Sequence, residues 1–150
     1  LSKNKIGAII VIEQETGLNE YIETGTKLDS VVTNELLLNL FVPNTPLHDG
    51  AVIIRRNRIA AAGCFLPLTQ SQNLSKQLGT RHRAAIGITE ISDSMVIIVS
   101  EETGVISFTK MGRLSRYLDT KSLKEIIKNS IKAKEDKQPK WMKWGAKNGG

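Results

Sequence analysis

Apolar residues along this chain come in short dense runs separated by polar turns, and that rhythm sets the expected fold. Gly7-Ala8-Ile9-Ile10-Val11-Ile12 is a continuous apolar run closed by Thr16-Gly17, as expected of a strand buried on both faces. A polar stretch with Thr24-Gly25-Thr26 follows. Asp29 or Ser30 is then expected to cap a helix carrying Val32, Leu36, Leu37 and Leu40 on one face. Pro43 and Pro46 end that helix and lead into a His48-Asp49-Gly50 turn. Residues 51–55 and 59–65 read as a hairpin with Arg56-Asn57-Arg58 at its tip.

Beyond Pro67 the polar run 69–77 reads as a loop, and a helix is expected over 80–91. Met95-Val96-Ile97-Ile98-Val99 is a buried strand, Ser100-Glu101-Glu102-Thr103-Gly104 a turn, and residues 105–109 another strand. Leu123, Ile126, Ile127 and Ile131 fall at i, i+3, i+4 and i+8, which predicts a last amphipathic helix. Strands and helices interleave, yet hairpins occur as well. The expected fold is therefore α/β, one globular domain over 1–133 with a central mixed sheet flanked by helices on both faces. Residues 134–150 read as a basic, disordered tail.

Composition changes this picture little: 40% hydrophobic and 24% charged residues over 150 positions suit one soluble domain with an ordinary core. The single cysteine, Cys64, excludes an intrachain disulfide, and its Ala-rich, Gly-rich surroundings suit a small buried side chain rather than a reactive thiol.

Charge matters more once it is divided. Residues 121–150 hold nine of the 21 basic residues but three of the 15 acidic ones, so the whole excess of +6 sits there and the first 120 residues are neutral. A nucleic-acid platform carries its basic excess on the folded body and interleaves it with aromatics. The neutral body and the 5% aromatic content disfavour RNA binding through Arg55, Arg56, Arg58 and the lysine tail, so no nucleic-acid partner is expected. The tail reads as a solvated end, with Trp141 and Trp144 leaving open a partner or membrane-surface contact. No run approaches the ~20 apolar residues that span a bilayer, and no signal peptide is visible. Because the chain starts at Leu1 rather than Met, it is expected to be an excerpt of a longer protein.

The candidate chemistry sits in two segments, Leu47-His48-Asp49-Gly50-Ala51 and Gly79-Thr80-Arg81-His82-Arg83-Ala84-Ala85. Asp49 can accept a proton from a hydroxyl, ligate a divalent cation, or simply close an Asp-Gly turn. Gly50 leaves the backbone open to close approach. His48 reads equally as a metal ligand, a partner for Asp49, or a histidine satisfied by a backbone group; a neutral imidazole suits Mn²⁺ or Co²⁺ better than Mg²⁺. Thr80, Arg81 and Arg83 share an expected helix N-terminus, where free N–H groups and the dipole favour an anion and Gly79 keeps the approach open, or they are a capping Thr with two solvated arginines. His82 reads as structural. Ser100 and Glu102, in the turn after a buried strand, face either phosphates or a metal or do no more than form the turn. Phe65 and Leu66 either sandwich a purine ring or pack in the core.

Taken in order and spacing, these segments resemble the diadenylate cyclase (DAC) domain family, whose Asp-Gly-Ala and Arg-His-Arg elements correspond to Asp49-Gly50-Ala51 and Arg81-His82-Arg83. The resemblance covers roughly residues 6 to 132, and is strongest to the membrane-anchored class, in which transmembrane helices precede the domain. It implies condensation of two ATP molecules into the second messenger cyclic di-AMP, releasing two pyrophosphates, with Mn²⁺, Co²⁺ or Mg²⁺. It implies Asp49, Arg81 and Arg83 as catalytic residues and His48 and Asp49 as metal ligands. Gly50, Ala51, Phe65, Leu66, Gly79, Thr80, Arg81, Ser100 and Glu102 are implied to bind ATP. It further implies a facing homodimer, a location at the cytoplasmic face of the cell membrane, and an inhibitory protein partner such as phosphoglucosamine mutase. The alternative is a module that senses an adenine nucleotide without turning it over.

Overall fold

The structure is a computed structural model that describes residues 1–72, 74 and 78–136. Contact density divides the chain into two units, Leu1–Tyr117 and Leu118–Gly150. The elements in order are β1 (Ala8–Ile12), α1 (Asn19–Ile22), β2 (Thr26–Val31), α2 (Asn34–Leu40), β3 (Ala51–Arg55), β4 (Arg58–Cys64), α3 (Thr80–Glu90), β5 (Met95–Val99), β6 (Ile106–Lys110), β7 (Arg113–Leu118) and α4 (Thr120–Asp136).

The strands form one seven-stranded sheet in the order β2-β4-β3-β1-β5-β6-β7. β1 runs parallel to β3, with Ile10 opposite Val52, and antiparallel to β5, with Ile10 opposite Ile97. The sheet is therefore mixed, as expected. Its centre explains the dense apolar runs. Ile9 and Val11 of β1 face one layer with Ile53, Val96, Ile98 and the helix residues Leu18, Ile22, Ala85 and Ile88. Ala8 and Ile10 face the other with Val52, Ile59, Val99, Leu40 and Phe41. A strand covered by helices on both sides has no solvent face to keep polar, and each fully buried branched side chain contributes about 1.5–3 kcal/mol.

Three elements were not expected, and one helix start is corrected. α1 is a four-residue helix without a side-chain cap, and β2 and β7 are the two edge strands, with exposed and part-buried residues alternating. Edge strands stay polar because one flank of their backbone is unpaired, which hides them from a hydrophobicity reading. Asp29 and Ser30 cap no helix. Asp29 lies in β2 at φ +49°, beside a register shift, with its carboxylate 2.7 Å from Arg58 Nε. α2 is instead capped by Thr33, whose hydroxyl accepts from Leu36 N–H at 3.1 Å, so Val32 precedes the helix rather than lying on its face.

α3 docks through Gly87: a Cβ there would lie 1.9 Å from the Pro67 carbonyl oxygen. Thr69 N–H adds a 3.1 Å bond to the Arg83 carbonyl. The segment after β4 is thereby pressed onto α3.

Within the second unit, the Asp119 carboxylate accepts from Ser122 N–H at 2.7 Å at the start of α4. Ser122, Leu123, Ile126 and Ile127 share a half-buried stripe. The expected boundary at residue 133 falls inside α4, which continues to Asp136. Trp141, Trp144 and the rest of residues 137–150, like Asn73 and residues 75–77 of the expected loop, lie outside the described residues. Among the described residues no helix is long and apolar enough to cross a membrane.

Candidate active site

One end of the sheet gathers the N-terminal ends of β1 and β3, the C-terminal ends of β4 and β5, and the first turn of α3 around a cleft of about 890 Å³. His48, Asp49, Gly50, Phe65, Leu66, Gly79, Thr80, Arg81, Ser100 and Glu102 all line it. Ala51 and Arg83 do not. Ala51 is fully buried as the first residue of β3. Arg83 follows Arg81 by two helical positions, a rotation of ~200°, so the two guanidinium groups leave α3 in opposed directions.

The turn that presents Asp49 is held by glycine geometry. Gly50 has φ +119°, and a Cβ there would lie 2.8 Å from the Gly63 carbonyl carbon and 2.9 Å from the Cys64 carbonyl oxygen. No side chain fits, so the end of β4 packs directly on the turn and leaves the Asp49 carboxylate exposed in the cleft. Next to it, His48 Nδ1 lies 2.6 Å from the Thr45 carbonyl oxygen. A carbonyl can only accept, so Nδ1 carries a proton, which in the neutral tautomer leaves the lone pair on Nε2. That is the arrangement of a histidine prepared to ligate a cation. Among the described residues no three His, Cys, Asp or Glu side chains converge on one point. A cation held by His48 and Asp49 therefore needs further oxygens from a ligand, the usual condition of a polyphosphate-bound divalent ion.

Gly79, the extended residue just before α3, offers no side-chain cap, so N–H groups of the first turn are left for a ligand. Arg81 is the cationic side chain lining the cleft among the described residues. Its Nη1 lies 3.3 Å from Glu101 Oε1, and its guanidinium rests against Gly7. Glu101 escaped the sequence reading, which weighed Ser100 and Glu102; its link to Arg81 spans twenty residues and becomes visible with the fold alone. The Ser100 hydroxyl accepts from Glu102 N–H and Thr103 N–H at 3.3 Å each, which closes the turn and leaves its own proton free to donate.

His82, expected to be structural, also borders the cleft. It is 6% exposed with no partner for Nε2 among the described residues. Burial, with Arg116 and Arg81 adding repulsion, holds its pKa below the ordinary 6.5, so the ring is neutral. Cys64 is buried and its thiol is pushed up to about 11 by desolvation, consistent with an unreactive packing role. Phe65 is 68% exposed and Leu68 48%, so the cleft mouth presents apolar surface to water. Core packing of Phe65 is thereby ruled out.

Residues 1–114 match the family model described as DAC, DisA bacterial checkpoint controller nucleotide-binding. The chain belongs to the DAC family. It is 52% identical over 151 residues to the protein named cyclic di-AMP synthase CdaA of Bacillus subtilis, covering 99% of this chain and 55% of that protein. It is 50% identical over 145 residues to a diadenylate cyclase of Listeria monocytogenes, covering 96% and 53%. The chain thus spans about half the length of these relatives. Among solved structures it matches a double mutant of DacA from Staphylococcus aureus with a TM-score of 0.84 and 53% identity over 86% of each chain. It also matches a hypothetical membrane spanning protein from Bacillus cereus with a TM-score of 0.76 and 48% identity, covering 79% of this chain and 58% of that one. The expected fold and family membership both hold.

Proposed function

We propose that this DAC domain is a diadenylate cyclase that condenses two ATP molecules into cyclic di-AMP and two pyrophosphates. The observation that carries the reading is the cleft itself. It brings a free carboxylate, a histidine with an available Nε2, an arginine and an uncapped helix N-terminus to one end of the sheet. The names of the relatives point the same way.

Each of the two bonds is made alike. A ribose 3′-hydroxyl loses its proton toward Asp49, its oxygen attacks the α-phosphorus of the other ATP, and the bond to pyrophosphate breaks. Arg81 and the α3 N–H groups hold the phosphate oxygens, where negative charge builds as pyrophosphate leaves. Thr80 and Ser100 add hydroxyl donors, and Glu102 stands beside them. A divalent cation at His48 and Asp49, Mn²⁺ or Co²⁺ by the softness of imidazole or Mg²⁺, would supply Lewis-acid charge neutralisation. Arg83 does not line the cleft and acts on it through α3. Phe65 and Leu66 offer apolar surface for the adenine.

The product has two-fold symmetry, whereas this chain carries one set of these residues. Two domains must therefore face each other, each presenting one ATP. A partner that covers this face would inhibit, and the family resemblance nominates phosphoglucosamine mutase. The same resemblance, with the name of the matching hypothetical membrane spanning protein from Bacillus cereus, supports a place at the cytoplasmic face of the membrane.

Incubation with ATP and Mn²⁺ tests the reading. Cyclic di-AMP and two equivalents of pyrophosphate are expected. ATP that binds but is not consumed would replace the enzyme with a nucleotide-sensing module.

A further inference from the structure

We infer that Thr24, a residue outside the cleft lining, is a positioning residue that sets the adenine-facing wall by holding the backbone of Phe65. The inference rests on the proposed nucleotide reading of the cleft and deepens it.

β4 ends at Cys64, opposite Ala51 of β3, and the last residue of β4 that pairs with β2 is Ala62. The Phe65 N–H thus lies one step past the ladder. Thr24 takes the place of the missing strand: Phe65 N–H donates to Thr24 Oγ1 at 2.8 Å, and that hydroxyl donates in turn to the Tyr21 carbonyl at 2.6 Å. Both atoms of the hydroxyl are committed, so Thr24 joins the end of α1 to the end of β4 with a defined direction. Gly25 makes the contact close enough, since a Cβ there would lie 2.4 Å from the Ala62 carbonyl oxygen.

Two residues on, the Pro67 carbonyl is pinned against Gly87 of α3. The wall from Phe65 to Pro67 is therefore fastened at both ends, by a side-chain hydroxyl at one and by backbone packing at the other. Phe65 is 68% exposed, so little of its own packing fixes where the ring points. Its direction over the cleft mouth follows from its backbone, and its backbone follows from Thr24. An exposed ring held in place can receive a purine without first losing conformational freedom.

Thr24 is itself exposed, so Thr24→Val removes the hydroxyl while leaving no cavity. The test measures binding of α,β-methylene-ATP, which cannot release pyrophosphate, and of inorganic tripolyphosphate, which has no base. Thr24→Val should weaken the nucleotide roughly three- to tenfold, the size of one neutral hydrogen bond, and leave tripolyphosphate unchanged. Thr24→Ser should restore wild-type binding. In a Phe65→Ala background, Thr24→Val should add nothing. Unchanged nucleotide affinity in Thr24→Val, an equal loss for tripolyphosphate, or an undiminished effect without Phe65 would each overturn the assignment. Wild type that binds tripolyphosphate as tightly as the nucleotide would instead overturn the adenine reading of the wall on which it rests.

Discussion

The guanidinium of Arg81 occupies the space that a side chain at Gly7 would need: a Cβ on Gly7 would lie 2.6 Å from Arg81 Cζ and 2.8 Å from Nη1. The start of β1 is thus part of the arginine's seat, although Gly7 carries no chemistry. Because the obstructing atoms are the far end of a flexible side chain, Gly7→Ala can be accommodated by moving Arg81. It should change the unfolding midpoint little while weakening ATP in the same direction as Arg81→Ala. Calorimetric titration with ATP beside thermal denaturation checks both halves; normal ATP affinity would mean that Arg81 does not hold phosphate.

Gly87→Ala should behave in the opposite way. Its Cβ would meet a backbone carbonyl, that of Pro67, at 1.9 Å, and neither α3 nor the Phe65–Pro67 wall can yield without moving the other. A loss of at least about 2 kcal/mol is expected, read as a lower urea midpoint. An unchanged midpoint would show that the wall is not fastened at this point.

Glu101 pairs with the arginine proposed to hold polyphosphate. Its carboxylate is 65% exposed and 3.3 Å from Arg81 Nη1, so it adds little to stability, and Gly7 already seats the guanidinium without it. Glu101→Gln should tighten ATP by up to about fivefold, the most a surface ion pair of this kind resists. Weaker binding of ATP would mean that Glu101 aids the ligand rather than opposing it.

These relationships mark where the sequence could be read and where it could not. β1, β3 and β5 are legible because strands covered on both faces carry unbroken apolar runs, and α3 begins at Thr80 as expected. Asp29 misled because a carboxylate ahead of an apolar pattern is the usual sign of a cap, whereas its partner is Arg58, 29 residues away. β7 hides Arg116 on the same side as Leu114 and Leu118, so its alternation is not one of apolar with polar. Asp49, His48 and Arg81 stand out in local motifs, and all three line the cleft. Arg81 lines the cleft and Arg83 does not, because two helical positions turn them to different sides of α3. Glu101, Gly7 and Thr24 act through partners at least 20 residues distant in the chain, and no local pattern announces them.

Glu13 accepts from Arg55 Nε and Nη2 and from Leu18 N–H, each at 2.8 Å. The Arg55 hydrogen bonds above all hold its pKa below the ordinary 4.5. A carboxyl depressed by folding contributes stability that is present above its unfolded value and is lost as pH falls through its folded value. Glu13→Gln should therefore cost about 1–3 kcal/mol at neutral pH, and the difference from wild type should shrink as pH drops below 4.5. Urea unfolding of both proteins across that range measures it; a difference that stays constant would detach Glu13 from the acid limb.

In the proposed mechanism two facing domains make one symmetric product. Asp49→Asn bears on half of it, since turnover should vanish while ATP still binds within about tenfold. The most direct measurement is the rate of cyclic di-AMP formation per domain, from ATP and Mn²⁺, as a function of protein concentration, with size measured in parallel. The rate per domain should rise with concentration and level off as the facing dimer saturates. A constant rate per domain at concentrations where sizing shows monomer alone would contradict the mechanism.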